Sequence, residues 1–220
     1  MIDLRRVLSF PFVYRAFQAL VGAHRLREIL ASEYIQPASG MRVLDIGCGT
    51  ADILNHLGDV RYVGLDPSAL YVETARRRFP GAELHVWSAG DEIDVDTGFD
   101  RVLAIGVLHH LNDLQAADLV RLATRALAPE GRLVTIDPTF VNADDSKIAD
   151  AIVARDRGQW VRPLRGYAAL VEGNSQLMIH PELRRDLLHI PYSHCILVGT
   201  FGIKNFDDEN REVSPSKWSH

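Results

Sequence analysis

The chain has 220 residues, of which 47% are hydrophobic and 24% are charged, as is typical of a globular domain with a well-packed core. A formal net charge of -5 argues against a broad basic face, so nucleic acid is disfavoured as a partner and a small-molecule substrate is expected. No stretch reaches the roughly 18 consecutive apolar residues of a membrane-spanning helix, and two cysteines cannot build a disulfide framework, so we expect a cytoplasmic protein with no transmembrane segment.

The predicted elements alternate between helix and strand along the chain. Residues 12–34 carry apolar positions at helical spacing, within an N-terminal helical cap over residues 1–36. Strands are predicted at "RVLDIG", "YVGLD", "ELHVW", "FDRVLAIG" and "GRLVTID", and helices at "TADILNHLG", "PSALYVETARRRF" and "DLQAADLVRLATRALA". Such alternation predicts a parallel sheet with helices on both faces.

After the fifth strand the pattern changes. Residues 146–173 have helical character, interrupted by Gly158 and Pro163. The stretches "SQLMIHPELRRDLL" and "YSHCILVGTF" are typical of two closing strands, with antiparallel pairing as one arrangement. Residues 203–220 are polar and aperiodic, which indicates a flexible tail.

The stretch "VLDIGCGTADIL", residues 43–54, places a glycine turn directly after the first predicted strand. Ligands of doubly wound sheets bind beyond the carboxyl ends of the strands, and Gly47 and Gly49 permit close approach of the backbone. A triphosphate-binding loop requires a lysine directly after its last glycine, whereas the first lysine of this chain is Lys147. A nucleoside triphosphate is therefore excluded.

A dinucleotide is harder to exclude, because "GCGTAD" matches the start of the G-x-G-x-x-G motif. Asp52 replaces the third glycine, and its carboxylate would repel a pyrophosphate by about 4 kcal/mol at 4 Å near a protein surface. A nucleoside with positive charge and no phosphate fits better, with Asp45 and Asp52 as favourable partners. Two alternatives to an enzyme that uses such a nucleoside are an NAD(P)-dependent oxidoreductase and a non-catalytic cofactor-binding domain.

Four motifs in order, "VLDIGCGTA", "VGLDPS", "FDRVLAIGVLHHL" and "LAPEGRLVTID", resemble those of the class I S-adenosylmethionine-dependent methyltransferases over residues 37–137. The third glycine of the family's first motif is Ala51 here. The resemblance implies a doubly wound Rossmann-like α/β fold, with seven strands that are mostly parallel and an antiparallel last strand. It also implies a methyltransferase domain over residues 37–202, with a substrate-facing insert over residues 138–175.

The resemblance implies S-adenosylmethionine as cofactor and S-adenosylhomocysteine as product. Asp66, at the end of the second strand, would accept hydrogen bonds from both ribose hydroxyls. An acidic residue commonly contacts adenine after the third strand, where this chain has Ala89, unless Asp91 takes the role. The implied cofactor-binding residues are Asp45, Gly47, Cys48, Gly49, Asp66, Pro67, Ser88, Ala89, Ile105 and Gly106.

The acceptor side is less specified by the resemblance. His109 and His110 are the nearest candidate general bases, with a purely structural histidine pair as the alternative, and Tyr14 is a third catalytic candidate from the cap. Arg155, Arg157, Arg162 and Arg165 form either an anion clamp or a solvated helix face. The implied substrate-binding residues are Arg155, Arg157, Tyr192 and His194. We expect a small metabolite or natural-product acceptor, with an anionic one as an option, and no metal; the motifs do not specify the acceptor atom or the oligomeric state.

Overall fold

A seven-stranded sheet forms the centre of the computed structural model, which describes residues 23–140, 159–188 and 193–202. The strands lie in the order β3-β2-β1-β4-β5-β7-β6. Strand β7 runs antiparallel to β5 and β6, and the remaining pairs are parallel, which confirms the predicted mostly parallel sheet. The strands are β1 Arg42–Ile46, β2 Arg61–Asp66, β3 Glu83–Val86, β4 Phe99–Ile105, β5 Leu127–Pro138, β6 Leu177–Arg184 and β7 His194–Phe201.

Four α-helices cover the sheet within the described residues. They are α1 Ala23–Ile29, which continues as a π-helix over Leu30–Ile35, α2 Ala69–Arg78, α3 Asp113–Ala126 and α4 Leu164–Asn174. Short 3-10 helices span Asp52–His56 and Leu108–His110. Within the described ranges, no helix is both long and apolar enough to cross a lipid bilayer.

The helices bury both faces of the sheet. Because side chains alternate along a strand, neighbours on β1 enter different cores. Leu44 packs with residues of α3 and α4, whereas Val43 packs with the π-helix and α2. The predicted arrangement of helices on both faces is therefore confirmed.

The segment after the glycine turn differs from its prediction. The sequence predicts a helix over "TADILNHLG" that stops at Gly58, whereas the structure has a five-residue 3-10 helix, Asp52–His56. Ala51 precedes it in the left-handed conformation, and Gly58, with φ +67°, follows it. These two left-handed residues leave room for little more than one turn between them.

Several sequence predictions lie partly or wholly outside the described residues. The N-terminal helix is seen from Ala23 onward, and the helical character of residues 146–173 is seen in α4. The predicted flexible tail, residues 203–220, lies outside the described ranges. The site candidates that also lie outside them are Tyr14, Arg155, Arg157 and Tyr192.

Candidate active site

The carboxyl ends of β1, β2, β4 and β5 meet at one edge of the sheet, because these strands are parallel and adjacent. The loops at this edge carry most of the predicted cofactor residues and both candidate histidines. The loop after β1 turns back on β2, since the backbone N–H groups of Gly47 and Cys48 donate to Leu65 O at 2.6 and 2.9 Å. The sheet thus assembles one site from four separate sequence motifs.

The two glycines of the first loop serve different purposes. A Cβ on Gly49 would meet nothing within 4 Å, so this position faces open space that a ligand can enter. A Cβ on Gly47 would lie 2.4 Å from Val107 Cγ2, so packing alone requires glycine there. Between them, Cys48 is buried, which raises the pKa of its thiol, and only its backbone can serve a ligand.

Ala51 stands where the family's first motif has its third glycine. It is fully buried, with φ +56° and ψ +38°, a left-handed conformation that glycine adopts without cost. In an alanine this conformation costs about 1–2 kcal/mol. The turn is therefore retained in spite of the substitution.

Asp66 links the first loop to the second. Its Oδ2 accepts from Gly49 N at 2.8 Å, and its Oδ1 accepts from Ser68 N at 2.9 Å. Burial raises the pKa of this carboxyl, and the two backbone hydrogen bonds oppose the rise. Each carboxylate oxygen can accept a second hydrogen bond, so the group retains capacity for two ligand hydroxyls.

Asp45, on the adjacent strand β1, is buried and only half satisfied. Its Oδ2 accepts from the Tyr62 hydroxyl at 2.6 Å, and its Oδ1 has no hydrogen-bond partner among the described residues. Desolvation raises the pKa of Asp45 to about 7, and the Tyr62 hydrogen bond opposes the rise. A nearby cationic ligand group would favour the ionised carboxylate.

The structure corrects the electrostatic argument made for Asp52. Its carboxylate lies 2.6 Å from Arg78 Nη1 and 3.6 Å from Arg27 Nη2. Because two guanidinium groups offset its charge, Asp52 would repel a pyrophosphate much less than an isolated carboxylate. For the same reason it is a poorer partner for a cationic ligand than expected.

The loop after β3 is organised by Asp91. Its Oδ2 accepts from Ser88 N at 3.0 Å, and its carbonyl accepts from Trp87 Nε1 at 3.1 Å. Trp87 is a buried core residue, Ser88 is exposed and Ala89 packs partly against the core. Asp91 thus shapes the predicted adenine region through the loop backbone.

Ile105 ends β4 and Gly106 begins the loop after it, and both are half-buried at the edge of the sheet. Gly106, with φ +69°, donates its backbone N–H to Ile136 O at 2.7 Å. On the neighbouring β2 loop, Pro67 is exposed, and Ser68 caps α2 by accepting from Tyr71 N. These positions lie at the predicted cofactor edge.

His109 forms a buried pair with Asp137, a residue that the sequence reasoning missed. His109 Nδ1 lies 2.7 Å from Asp137 Oδ1, and the same oxygen accepts from the backbone N–H of His109 at 3.1 Å. Both side chains are almost fully buried. The signal was present, since Asp137 ends the predicted strand "GRLVTID", as Asp66 ends β2, and parallel strand ends meet at the site.

His110 and His194 occupy different environments. The His110 residue is exposed, and its ring packs on the His109 ring with centroids 3.9 Å apart. His194 is buried at the start of β7, paired in register with Pro138. It therefore lies at the same sheet edge, within the strand rather than on an open surface.

Arg162 is not available as an anion clamp. Its guanidinium donates to the carbonyls of Leu108 and Leu111 at 2.8 and 2.9 Å and pairs with Asp113 Oδ1 at 2.6 Å. These contacts hold the turn that carries His109. Arg165, by contrast, is exposed on α4.

A family model described as a methyltransferase domain matches residues 44–133. The chain is 30% identical over 115 residues to the cyclopropane-fatty-acyl-phospholipid synthase of Escherichia coli K12, across 51% of this chain and 30% of that protein. It is 33% identical over 132 residues to the 27-O-demethylrifamycin SV methyltransferase of Amycolatopsis mediterranei, across 56% and 48% of the two chains.

A third relative is the "Probable tRNA methyltransferase 9B" of Bos taurus, at 34% identity over 111 residues, across 50% of this chain and 23% of that one. The chain therefore spans less than half the length of each of these three relatives.

Solved structures share the fold. A TehB-like SAM-dependent methyltransferase from Corynebacterium glutamicum aligns with a TM-score of 0.61 and 21% identity, across 91% of this chain and 100% of that one. The S-adenosylmethionine-dependent methyltransferase SibL aligns with a TM-score of 0.67 and 19% identity, across 90% and 61% of the two chains. At these identities the likeness establishes the architecture.

Proposed function

We propose that the chain is a class I S-adenosylmethionine-dependent methyltransferase, which transfers a methyl group from S-adenosylmethionine to a small metabolite or natural product. The observation that carries the proposal is the open space at Gly49 beside the Asp66 carboxylate. A loop that exposes its backbone next to a buried strand-end carboxylate is suited to a ribose-containing ligand.

The residues present fit this cofactor. Asp66 would accept from the ribose hydroxyls. The Oδ1 of Asp45, which has no hydrogen-bond partner in the described part of the chain, would favour the positive charge of the methionine portion. The loop over residues 88–91 would contact the adenine, and the Ile105 and Gly106 backbone would lie near the cofactor amino group. When bound, S-adenosylmethionine supplies a methyl group on a positively charged sulfur.

His109 is the residue we assign to proton transfer. A carboxylate can only accept, so the contact with Asp137 would place a hydrogen on His109 Nδ1, and the buried Nε2 would take a proton from an acceptor O–H or N–H that reached it. A Cβ on Gly106 would lie 3.8 Å from His109 Cε1, so the ring borders the expected cofactor loop. Asp137 acts as a positioning residue that fixes the tautomer.

Three observations favour a small acceptor. The first is the net charge of -5, which does not favour a polyanion. The second is that one relative, the 27-O-demethylrifamycin SV methyltransferase, is named for a small-molecule acceptor. The third is that Trp160, 45% exposed, donates its backbone N–H to His109 O and so sets an apolar surface beside the proposed base.

The test is transfer of a labelled methyl group to pooled small metabolites and, separately, to bulk tRNA. We expect label in the small-molecule fraction, and label in tRNA alone would contradict the proposed acceptor class. Once an acceptor is known, His109→Asn and Asp137→Asn should lower kcat by about 10²–10⁴-fold with little change in cofactor affinity. Both substitutions should also alter the dependence of kcat on pH.

A His110 variant serves as a comparison for the His109 variant. His110→Ala is expected to lower turnover more than cofactor affinity, but less than the His109 variant does, because His110 contacts the base without the Asp137 hydrogen bond. Unchanged turnover in His109→Asn would remove the proton-transfer role, and unchanged turnover in His110→Ala would remove that residue from the site.

A further inference from the structure

Three side chains with metal-binding atoms converge outside the site described above. His24 and Glu28 lie on α1, and His56 ends the 3-10 helix after the glycine loop. His24 Nδ1 is 3.4 Å from Glu28 Oε1, and the His24 and His56 rings meet edge to face with centroids 4.9 Å apart. The potential ligand atoms of all three residues lie within 4.8 Å of one another.

The spacing and chemistry of this triad suit one metal ion. His24 and Glu28 are one helical turn apart, so their side chains share a face of α1. Zinc binds imidazole nitrogen and carboxylate oxygen at about 2.0–2.2 Å, which puts two ligands of one ion at most about 4.4 Å apart. His24 and Glu28 are 73% and 58% exposed, so both can rotate the short remaining distance and keep water as a further ligand.

The surrounding charges are compatible with a cation. Arg27 is the nearby positive group, and its guanidinium is paired with Asp52 at 3.6 Å, while Glu28 adds a negative charge. Metal ions bind the neutral form of imidazole, so binding at this triad should weaken as the pH is lowered.

We propose that His24, Glu28 and His56 bind one divalent transition-metal ion of the zinc type, with water completing the coordination. The set of two histidines and one carboxylate matches the ligand types that such ions prefer. An ion held there would tie α1 to the segment that follows the glycine loop. The proposal is independent of methyl transfer.

The experiment is a titration of the full chain with Co²⁺, followed by visible absorption, and displacement of the Co²⁺ by Zn²⁺. We expect one equivalent to bind, with affinity lowered at least about tenfold in His24→Ala and in His56→Ala. The matched control is His85→Ala, because His85 also contacts a carboxylate, Glu83 at 2.8 Å, on an exposed surface. That control should bind Co²⁺ as the unaltered chain does.

Thermal unfolding with a chelator checks that the variants are folded. The triad residues are exposed or half-buried, so their replacement should cost little stability. The unfolding temperatures of the variants should therefore match that of the unaltered chain when metal is removed. Three results would overturn the proposal: no binding, unchanged affinity in both histidine variants, or thiolate-to-cobalt absorption that indicates Cys48 or Cys195 as ligands.

Discussion

Asp45 and Asp66 illustrate how two carboxylates at the ends of neighbouring strands acquire different properties. Both are buried, but Asp66 accepts two backbone hydrogen bonds, whereas one oxygen of Asp45 has no partner within the described ranges. Desolvation therefore dominates at Asp45 and raises its pKa to about 7. A carboxyl that titrates near neutrality in the folded state makes folding stability depend on pH.

Stability should fall as pH rises through this range. The folded-state pKa of Asp45 lies above the unfolded value of 3.8, so its contribution is fully present below that value and is lost as pH rises through about 7. From about pH 5 to pH 8 the loss is about 2–3 kcal/mol. Asp45→Asn should show a smaller fall, because the amide oxygen still accepts from Tyr62 and does not titrate.

Urea unfolding of the unaltered chain and of Asp45→Asn across this pH range measures the difference in the free energy of unfolding. The other titrating groups are common to the two proteins, so their contributions cancel in that difference. Equal pH slopes would show that Asp45 keeps an ordinary carboxyl pKa in the folded state and would contradict the dominance of desolvation at this residue.

At the scale of elements, one arginine joins the α4 region to the turn after β4. Arg162 reaches the carbonyls of Leu108 and Leu111, at either end of the short helix that carries the two histidines. Its side chain is 12% exposed, whereas the paired Asp113 side chain is 82% exposed. The carbonyl contacts should therefore contribute more to stability than the ion pair does.

Arg162→Ala should destabilise the fold by about 2–3 kcal/mol, because it leaves part-buried carbonyls without donors. Asp113→Asn, which weakens only the exposed pair, should cost less than about 1 kcal/mol. Denaturant unfolding of the two variants measures the contrast. A loss in Asp113→Asn equal to that in Arg162→Ala would mean that the ion pair, and not the carbonyl contacts, holds the turn.

The order of the elements could be predicted because it follows from local patterns. Apolar runs followed by glycine or proline turns specify strands and helices, and alternation of the two specifies a parallel sheet. The end of a predicted strand places Asp137 near the site, but its pairing with His109, 28 residues away, forms only in the folded chain and has no local pattern. The neutralisation of the Asp52 charge also has no local pattern, because its partner Arg78 lies on the next helix and meets Asp52 only in the folded chain.

At the scale of the whole molecule, the sheet order explains why one edge can hold a cofactor. The switch in strand order lies between β1 and β4, where neighbouring loops leave in opposite directions around the sheet. The glycine loop, Asp66, the turn after β4 and Asp137 all lie at the same edge. We therefore expect S-adenosylmethionine to bind at this edge.

Calorimetric titration of the chain with S-adenosylmethionine, S-adenosylhomocysteine and NADH tests that claim most directly. We expect the first two to bind, and Asp66→Asn to weaken both by about 10–100-fold through lost hydroxyl contacts. Asp96→Asn is the matched control, because its carboxylate is 84% exposed and pairs with Arg42 away from the loop. Binding of NADH alone, or binding of S-adenosylmethionine that Asp66→Asn leaves unchanged, would contradict the account.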